Sequence, residues 1–314
     1  METRNLGQSG LKVSAVGLGC NNFGMRCDLE ASRAVIDKAL EIGVTLLDTA
    51  DVYGNGQSEE IIGQVLGKRR KDVVLATKFA MTGFNAPVRA DRRYAIDACE
   101  ASLKRLKTDY IDLYQVHRPD ADTPIDETLR ALDDLIKAGK VRYIGCSNFA
   151  GWQIADAAWT SKTLGLHRFI SHQDEYSLVV RDIDKDVIPA AKAHGLGLLP
   201  FFPLASGLLT GKYKRGAAAP DGTRLAHAFM GNRYLTDANF EVVEKLEPFA
   251  KARNRSLLEL AFAWLLSKPN LGSVIAGATS PEQVTANAAA AEWKLTAEEA
   301  AEVEAILNPA PPAH

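Results

Sequence analysis

Thr45-Leu46-Leu47-Asp48-Thr49-Ala50-Asp51-Val52-Tyr53-Gly54 is an apolar run that stops on a carboxylate and turns into a glycine loop carrying a phenol. Two later runs are built alike. Val73-Val74-Leu75-Ala76-Thr77 stops on Lys78, and Ile111-Asp112-Leu113-Tyr114-Gln115-Val116 stops on His117. Each run reads as a buried strand, so three functional groups stand at the carboxyl ends of three strands. In a closed parallel barrel that edge carries active sites, whereas the opposite edge serves stability.

Working outward, strand-like and helix-like segments alternate. Strands are predicted over 15–18, 45–48, 73–77, 111–116, 141–146, 169–173, 196–201 and 274–276. Helices are predicted over 29–41, 58–66, 91–106, 125–137, 152–163, 183–194, 240–253 and 257–266. The strands are too apolar to have one wet face, which implies a parallel sheet covered by helices. Eight units in 314 residues fit a (β/α)8 TIM barrel better than an open doubly wound sheet. Residues 5–14 hold two short stretches around a glycine turn, read as a β-hairpin at the bottom of the barrel. No composition break divides residues 1–314, so a single domain is expected. The longest irregular stretch, 210–237, follows the seventh strand and would rise over the rim as a lid. The tail 308–314 is expected to fray.

Composition narrows the function. A formal net charge of -2 gives no reason to expect nucleic acid or an anionic membrane as partner. The basic run Lys68-Arg69-Arg70-Lys71 reads as a solvated turn. Cys20, Cys27, Cys99 and Cys146 lack metal-binding spacing and read as reduced thiols; no metal site is expected. With no apolar leader and no run of about 20 apolar residues, the expected location is cytoplasmic.

Taken singly, Asp48 suits a helix cap, Tyr53 a rim aromatic, Lys78 a strand end with its amine at the surface, and His117 a turn. Together on one rim they make a set for moving a proton. An ammonium beside a phenol favours the phenolate, and an aspartate holds that ammonium in place. His117 is placed to orient a carbonyl oxygen and donate to it as charge develops.

The stretch 43–59, the pair Thr77-Lys78 and the stretch 109–117 resemble motifs of the aldo-keto reductase family, bacterial-type members with short carboxyl-terminal tails. The resemblance runs from the hairpin to Asn287. It implies an NAD(P)H-dependent enzyme that reduces an aldehyde or ketone, with Tyr53 as general acid, Asp48 and Lys78 tuning it, and His117 orienting the carbonyl. It also implies that Ser147, Asn148 and Gln173 hold the nicotinamide carboxamide and that Phe201 stacks on its ring. The backbone of Leu204, Ser206 and Leu208 would approach the pyrophosphate, with Lys212 nearby, and Asn287 would contact adenine.

Gly17-Leu18-Gly19-Cys20-Asn21-Asn22 begins like a dinucleotide fingerprint but has no acidic partner at the expected distance, so that reading is weak. A better phosphate site is Gly277-Ala278-Thr279-Ser280-Pro281-Glu282-Gln283, after the last strand. There Ser280 is a cap, Pro281 the first helical residue and Gln283 the partner in a capping box. This helix start carries no cation, yet the resemblance favours NADP(H) over NAD(H). The expected partner is a small carbonyl or alcohol. The alternatives are an NAD-dependent sugar or alcohol dehydrogenase, and a cofactor-sensing regulatory subunit with little turnover.

Overall fold

The computed structural model describes residues 1–308, except 82, 84 and 85. All of the expected tail but its first residue therefore lies outside the described residues. A hairpin of β1 (Thr3–Asn5) and β2 (Lys12–Ser14) precedes eight parallel strands. These are β3 (Val16–Gly19), β4 (Leu46–Asp48), β5 (Val74–Phe79), β6 (Ile111–Val116), β7 (Val141–Ser147), β8 (Phe169–Gln173), β9 (Gly197–Leu198) and β10 (Val274–Gly277). They pair in chain order, and β10 returns to β3. Bridges from Leu198 to Leu271 and from Phe201 to Ile275 join β9 to the β10 side, closing the (β/α)8 barrel.

The covering helices are α1 (Leu29–Glu41), α2 (Gln57–Leu66), α3 (Arg92–Leu106), α4 (Ile125–Lys137), α5 (Gly151–Leu164), α6 (Val187–Ala193), α7 (Ala228–Tyr234), α8 (Asp237–Lys251), α9 (Leu257–Leu266), α10 (Pro281–Ala290) and α11 (Ala297–Leu307). Their starts follow capping chemistry. Asp28 and Asp91 accept from backbone N–H groups of Ala31 and Tyr94, and Thr296 with Glu299 forms a capping box on α11.

Three expectations are corrected. The strand over 196–201 shrinks to two laddered residues, because Pro200 has no N–H to donate and only its carbonyl pairs, with the Ile275 N–H at 2.9 Å. The helix over 183–194 breaks into a single turn (Asp182–Asp184) and α6. Pro189 lies in the first turn of α6, where it is tolerated, and its ring blocks helical continuation back through Lys185. The stretch 210–237 contains a turn (Arg224–Ala226) and all of α7, so it is not simply irregular.

The barrel interior is layered. Low in the barrel, Leu46, Ala76, Leu113, Leu199 and Ile275 pack with Leu6 and Val13 of the hairpin segment. Fully burying such a side chain contributes about 1.5–3 kcal/mol. Gly7 (φ +58) lets the hairpin turn seat directly on the barrel's lower end, where a Cβ would lie 2.6 Å from Gly195 O, Gly197 N and Ile170 O. Two residues up β4, β5 and β6 the same inward positions become polar, at Asp48, Lys78 and Gln115, and Gln173 of β8 joins them. The sequence thus builds a dry floor and a polar ceiling.

The basic turn is held by ion pairs of Arg69 with Asp37 and Arg70 with Asp112, each at 2.7 Å. All four cysteines are free and buried. Among the described residues no helix is long and apolar enough to cross a membrane.

Candidate active site

Asp48 ends β4, Lys78 is the penultimate residue of β5, and His117 follows β6 directly, so adjacent strands aim all three at one mouth. Lys78 Nζ lies 2.7 Å from Asp48 Oδ2 and donates to Thr49 O at 2.8 Å. The pair is almost fully buried, at 1% and 4% side-chain exposure. That is tolerable only because each charge is matched. The other Asp48 oxygen accepts from Gln173 Nε2 at 2.9 Å and from Gln115 Nε2 at 3.4 Å.

Tyr53 arrives from the loop after β4. Lys78 Nζ is 5.2 Å from its ring centroid. The His117 ring meets Tyr53 edge-on, with centroids 5.9 Å apart and planes at 82°. The four groups singled out in the sequence therefore share one site.

The electrostatics differ in one respect from the sequence expectation. Burial pushes the Tyr53 phenol above its ordinary value, and the Lys78 charge only partly opposes this. Burial pulls the Lys78 ammonium down, but Asp48 and Tyr53 outweigh it, so lysine stays charged. Burial, then the Lys78 and Arg118 charges, hold His117 well below its usual value, so its imidazole is neutral. His117 Nδ1 is buried without a hydrogen-bond partner.

Around this cluster lies a groove of amides and left-handed backbone. Ser147 Oγ donates to Gln173 O at 2.7 Å. Asn148, at φ +59, donates from its amide to His117 O and Ser147 Oγ, both at 3.0 Å. Gln173 therefore braces Asp48 as well as bordering the groove. Phe201 meets Phe202 edge-on beyond β9. The following turn runs through positive φ at Phe202, Ala205, Ser206 and Gly207, curling the backbone of Leu204 to Leu208 into a concave loop. Lys212 folds back against Gly207, where a Cβ would lie 3.3 Å from Nζ.

At the last strand, Ser280 caps α10 as expected. The carboxamide of Gln283 accepts from Thr279 N–H at 2.9 Å instead of returning to Ser280, so the reciprocal half of the expected box is displaced by one residue. Gly277 sits beside Asn21 and Asn22. Asn287 stands apart, buried beside a small void shared with Gly17, Val44 and Val284. The glycine pair Gly17 and Gly19 serves packing: a Cβ on Gly17 would lie 2.8 Å from Ile275 Cδ1. Hydroxyls, amides, a concave turn, a helix start and an unpartnered imidazole nitrogen make a donor set that fits a nicotinamide dinucleotide.

Sequence reasoning missed two polar residues here. Gln115 lies two residues before His117 on the same inward face, a period-two signal that was available. Arg224 gave no local signal. It reaches from the segment after β9 across the mouth to Asn22 Oδ1 at 2.8 Å and Asn21 Oδ1 at 3.4 Å, near the Phe202 ring. Arg26 donates back to Gly222 O at 3.2 Å, and Arg233 and Tyr234 both engage Glu175. The expected lid therefore exists as a tethered crossing segment.

Comparison with known proteins agrees with this geometry. The chain is 38% identical over 321 residues to a probable voltage-gated potassium channel subunit beta from Oryza sativa subsp. japonica, covering 99% of this chain and 98% of that protein. It is 33% identical to versiconal hemiacetal acetate reductase of Aspergillus parasiticus, with 95% of each chain covered. It is 33% identical to L-glyceraldehyde 3-phosphate reductase of Escherichia coli (strain K12), over 91% of this chain and 86% of that one. The model of the Aldo/keto reductase family matches residues 15–308, and the chain belongs to that family.

Proposed function

We propose that the chain reduces an aldehyde or ketone to an alcohol, with Tyr53 giving the proton and His117 orienting the carbonyl. The observation that carries this reading is the convergence of Tyr53, Lys78, Asp48 and His117 at one mouth. Ser147, Asn148, Gln173, Phe201, the turn from Leu204 to Leu208 and the start of α10 would hold a nicotinamide cofactor, which when bound supplies the hydride.

The rest is the work of this chain's own residues. Neutral His117 donates one N–H to the carbonyl oxygen and fixes its position. As negative charge grows there, Tyr53 transfers its hydroxyl proton to that oxygen. A phenol raised by burial stays protonated at neutral pH, which suits a donor. The charged Lys78, pinned by Asp48, stabilises the phenolate left behind. Lys212, folded against Gly207 of the turn from Leu204 to Leu208, supports NADP(H) over NAD(H).

Tyr53→Phe is expected to lower turnover of small aldehydes by at least about 10²-fold while nucleotide affinity stays within about threefold. NADPH oxidation and quenching of tryptophan fluorescence by NADPH and NADH measure both quantities. Parental turnover in the variant would remove Tyr53 as donor, and tighter NADH than NADPH would reverse the cofactor preference.

Identity of 38% to the rice channel subunit favours a second reading, a regulatory subunit. The complete set of four polar groups argues for catalysis. Absence of NADPH oxidation across a panel of aldehydes, despite tight nucleotide binding, would support the second reading.

A further inference from the structure

The turn that carries Tyr53 is held in an unfavourable shape. Gly54, Asn55 and Gly56 all have left-handed backbone, at φ 57, 53 and 91. For Asn55 this costs about 1 kcal/mol or more, and such geometry persists only where the surroundings impose it. On one side the turn packs against the backbone of Phe23 and Gly24. A cleft of about 430 Å3, bordered by Asp51, Asn55, Tyr94 and Arg105, opens directly behind the turn.

On the cleft side an ion pair crosses the turn. Glu59, in the first turn of α2, is fully buried, and one of its oxygens accepts from Thr77 Oγ1 at 2.6 Å. The other is met by Arg105 from α3, with Nε at 2.7 Å and Nη2 at 2.6 Å. Arg105 reaches it by lying across Gly56, where a Cβ would come within 2.9 Å of its Cδ and 3.1 Å of its Nε. Thr77 precedes Lys78 in β5. The same carboxylate thus ties the strand that carries the lysine to the helix that ends the tyrosine turn. Removing Arg105 leaves the buried Glu59 charge uncompensated.

We propose that Arg105, acting through Glu59, is a positioning residue for Tyr53, setting the place of the phenol relative to Lys78. The inference rests on Tyr53 being the proton donor only for its effect on turnover; the placement of the ring stands separately. A misplacement of about 1 Å at a reacting group costs on the order of 10²-fold in rate.

Arg105→Met, Arg105→Lys and Glu59→Gln are made in the full chain, each alone and with Tyr53→Phe. Protein labelled with 13Cζ-tyrosine gives a Tyr53 signal identified by its loss in Tyr53→Phe. The expected result is a shifted or broadened Tyr53 signal in Arg105→Met and Glu59→Gln, and a smaller change in Arg105→Lys. Turnover falls at least about tenfold with nucleotide affinity within about threefold, and no further loss occurs in the Tyr53→Phe background, as expected when both act through one group. An unmoved Tyr53 signal in Arg105→Met and Glu59→Gln overturns the proposal, as does an equal loss of turnover with and without the phenol. A moved signal with parental turnover upholds the positioning and rejects Tyr53 as donor. Should Arg105→Met fail to fold, Glu59→Gln and Arg105→Lys decide by the same readouts.

Discussion

Asp51 stands two residues before Tyr53, and burial lifts its carboxyl to about 7, with the Glu59 charge adding to the effect and Arg105 and Lys78 opposing it. Its Oδ1 is buried without a partner, while its N–H donates to Lys78 O at 3.1 Å. The unfolded carboxyl titrates near about 4. Between that pH and about 7 the folded protein keeps a proton the unfolded chain has lost, so stability from this group falls as pH rises through the window. Asp51→Asn removes the penalty. The variant is expected to be more stable than the parent at pH 8, by about 1–2 kcal/mol after allowing for partial solvent screening, with the advantage gone by about pH 4. Thermal melts at several pH values measure it, and identical melting curves at pH 8 would contradict the assignment. At this scale the chemistry was largely legible: Asp48, Lys78 and His117 each end an apolar run, so strand pattern alone places them. Arg105 and Arg224 were not legible. Their partners lie 46 and 202 residues away in sequence, and nothing near either arginine marks the pairing.

The hairpin shows what a short element contributes. Its three-residue strands form a two-stranded ladder of their own, and its worth lies in Leu6 beneath the barrel and in the close seating of Gly7. Gly7→Ala is expected to cost about 2–4 kcal/mol, since it joins a left-handed backbone to a clash with three main-chain atoms that cannot rotate away. Denaturant unfolding should show a lower midpoint while nucleotide affinity in the folded protein is kept. A midpoint equal to the parent's would mean the hairpin does not seat as described. Elements with strong apolar periodicity, such as 29–41 and 125–137, were readable to the residue. Those shaped by proline or by long-range contact were not. Pro200 truncates β9, and α11 is fixed by Glu304, which takes hydrogen bonds from Trp264 at 2.9 Å and Lys268 at 2.6 Å on α9 and the residues after it.

Across the whole molecule, the segment after β9 returns over the mouth and is fastened far from its own strand. Arg224 makes the central fastening, a hydrogen bond from a charged donor worth about 1.5–3 kcal/mol. Arg224→Ala is therefore expected to speed nucleotide dissociation by about tenfold or more, provided the segment must lift for exchange. Stopped-flow fluorescence on displacement of bound NADPH would show it, and an unchanged dissociation rate would mean the crossing segment does not gate the groove.

The apolar floor sealed by Leu6 carries a kinetic meaning. A vessel stoppered at its base has a single doorway, here the polar rim crossed by the Arg224 segment. Residues at the far end of the barrel, Leu6 among them, thereby direct all traffic to the opposite rim.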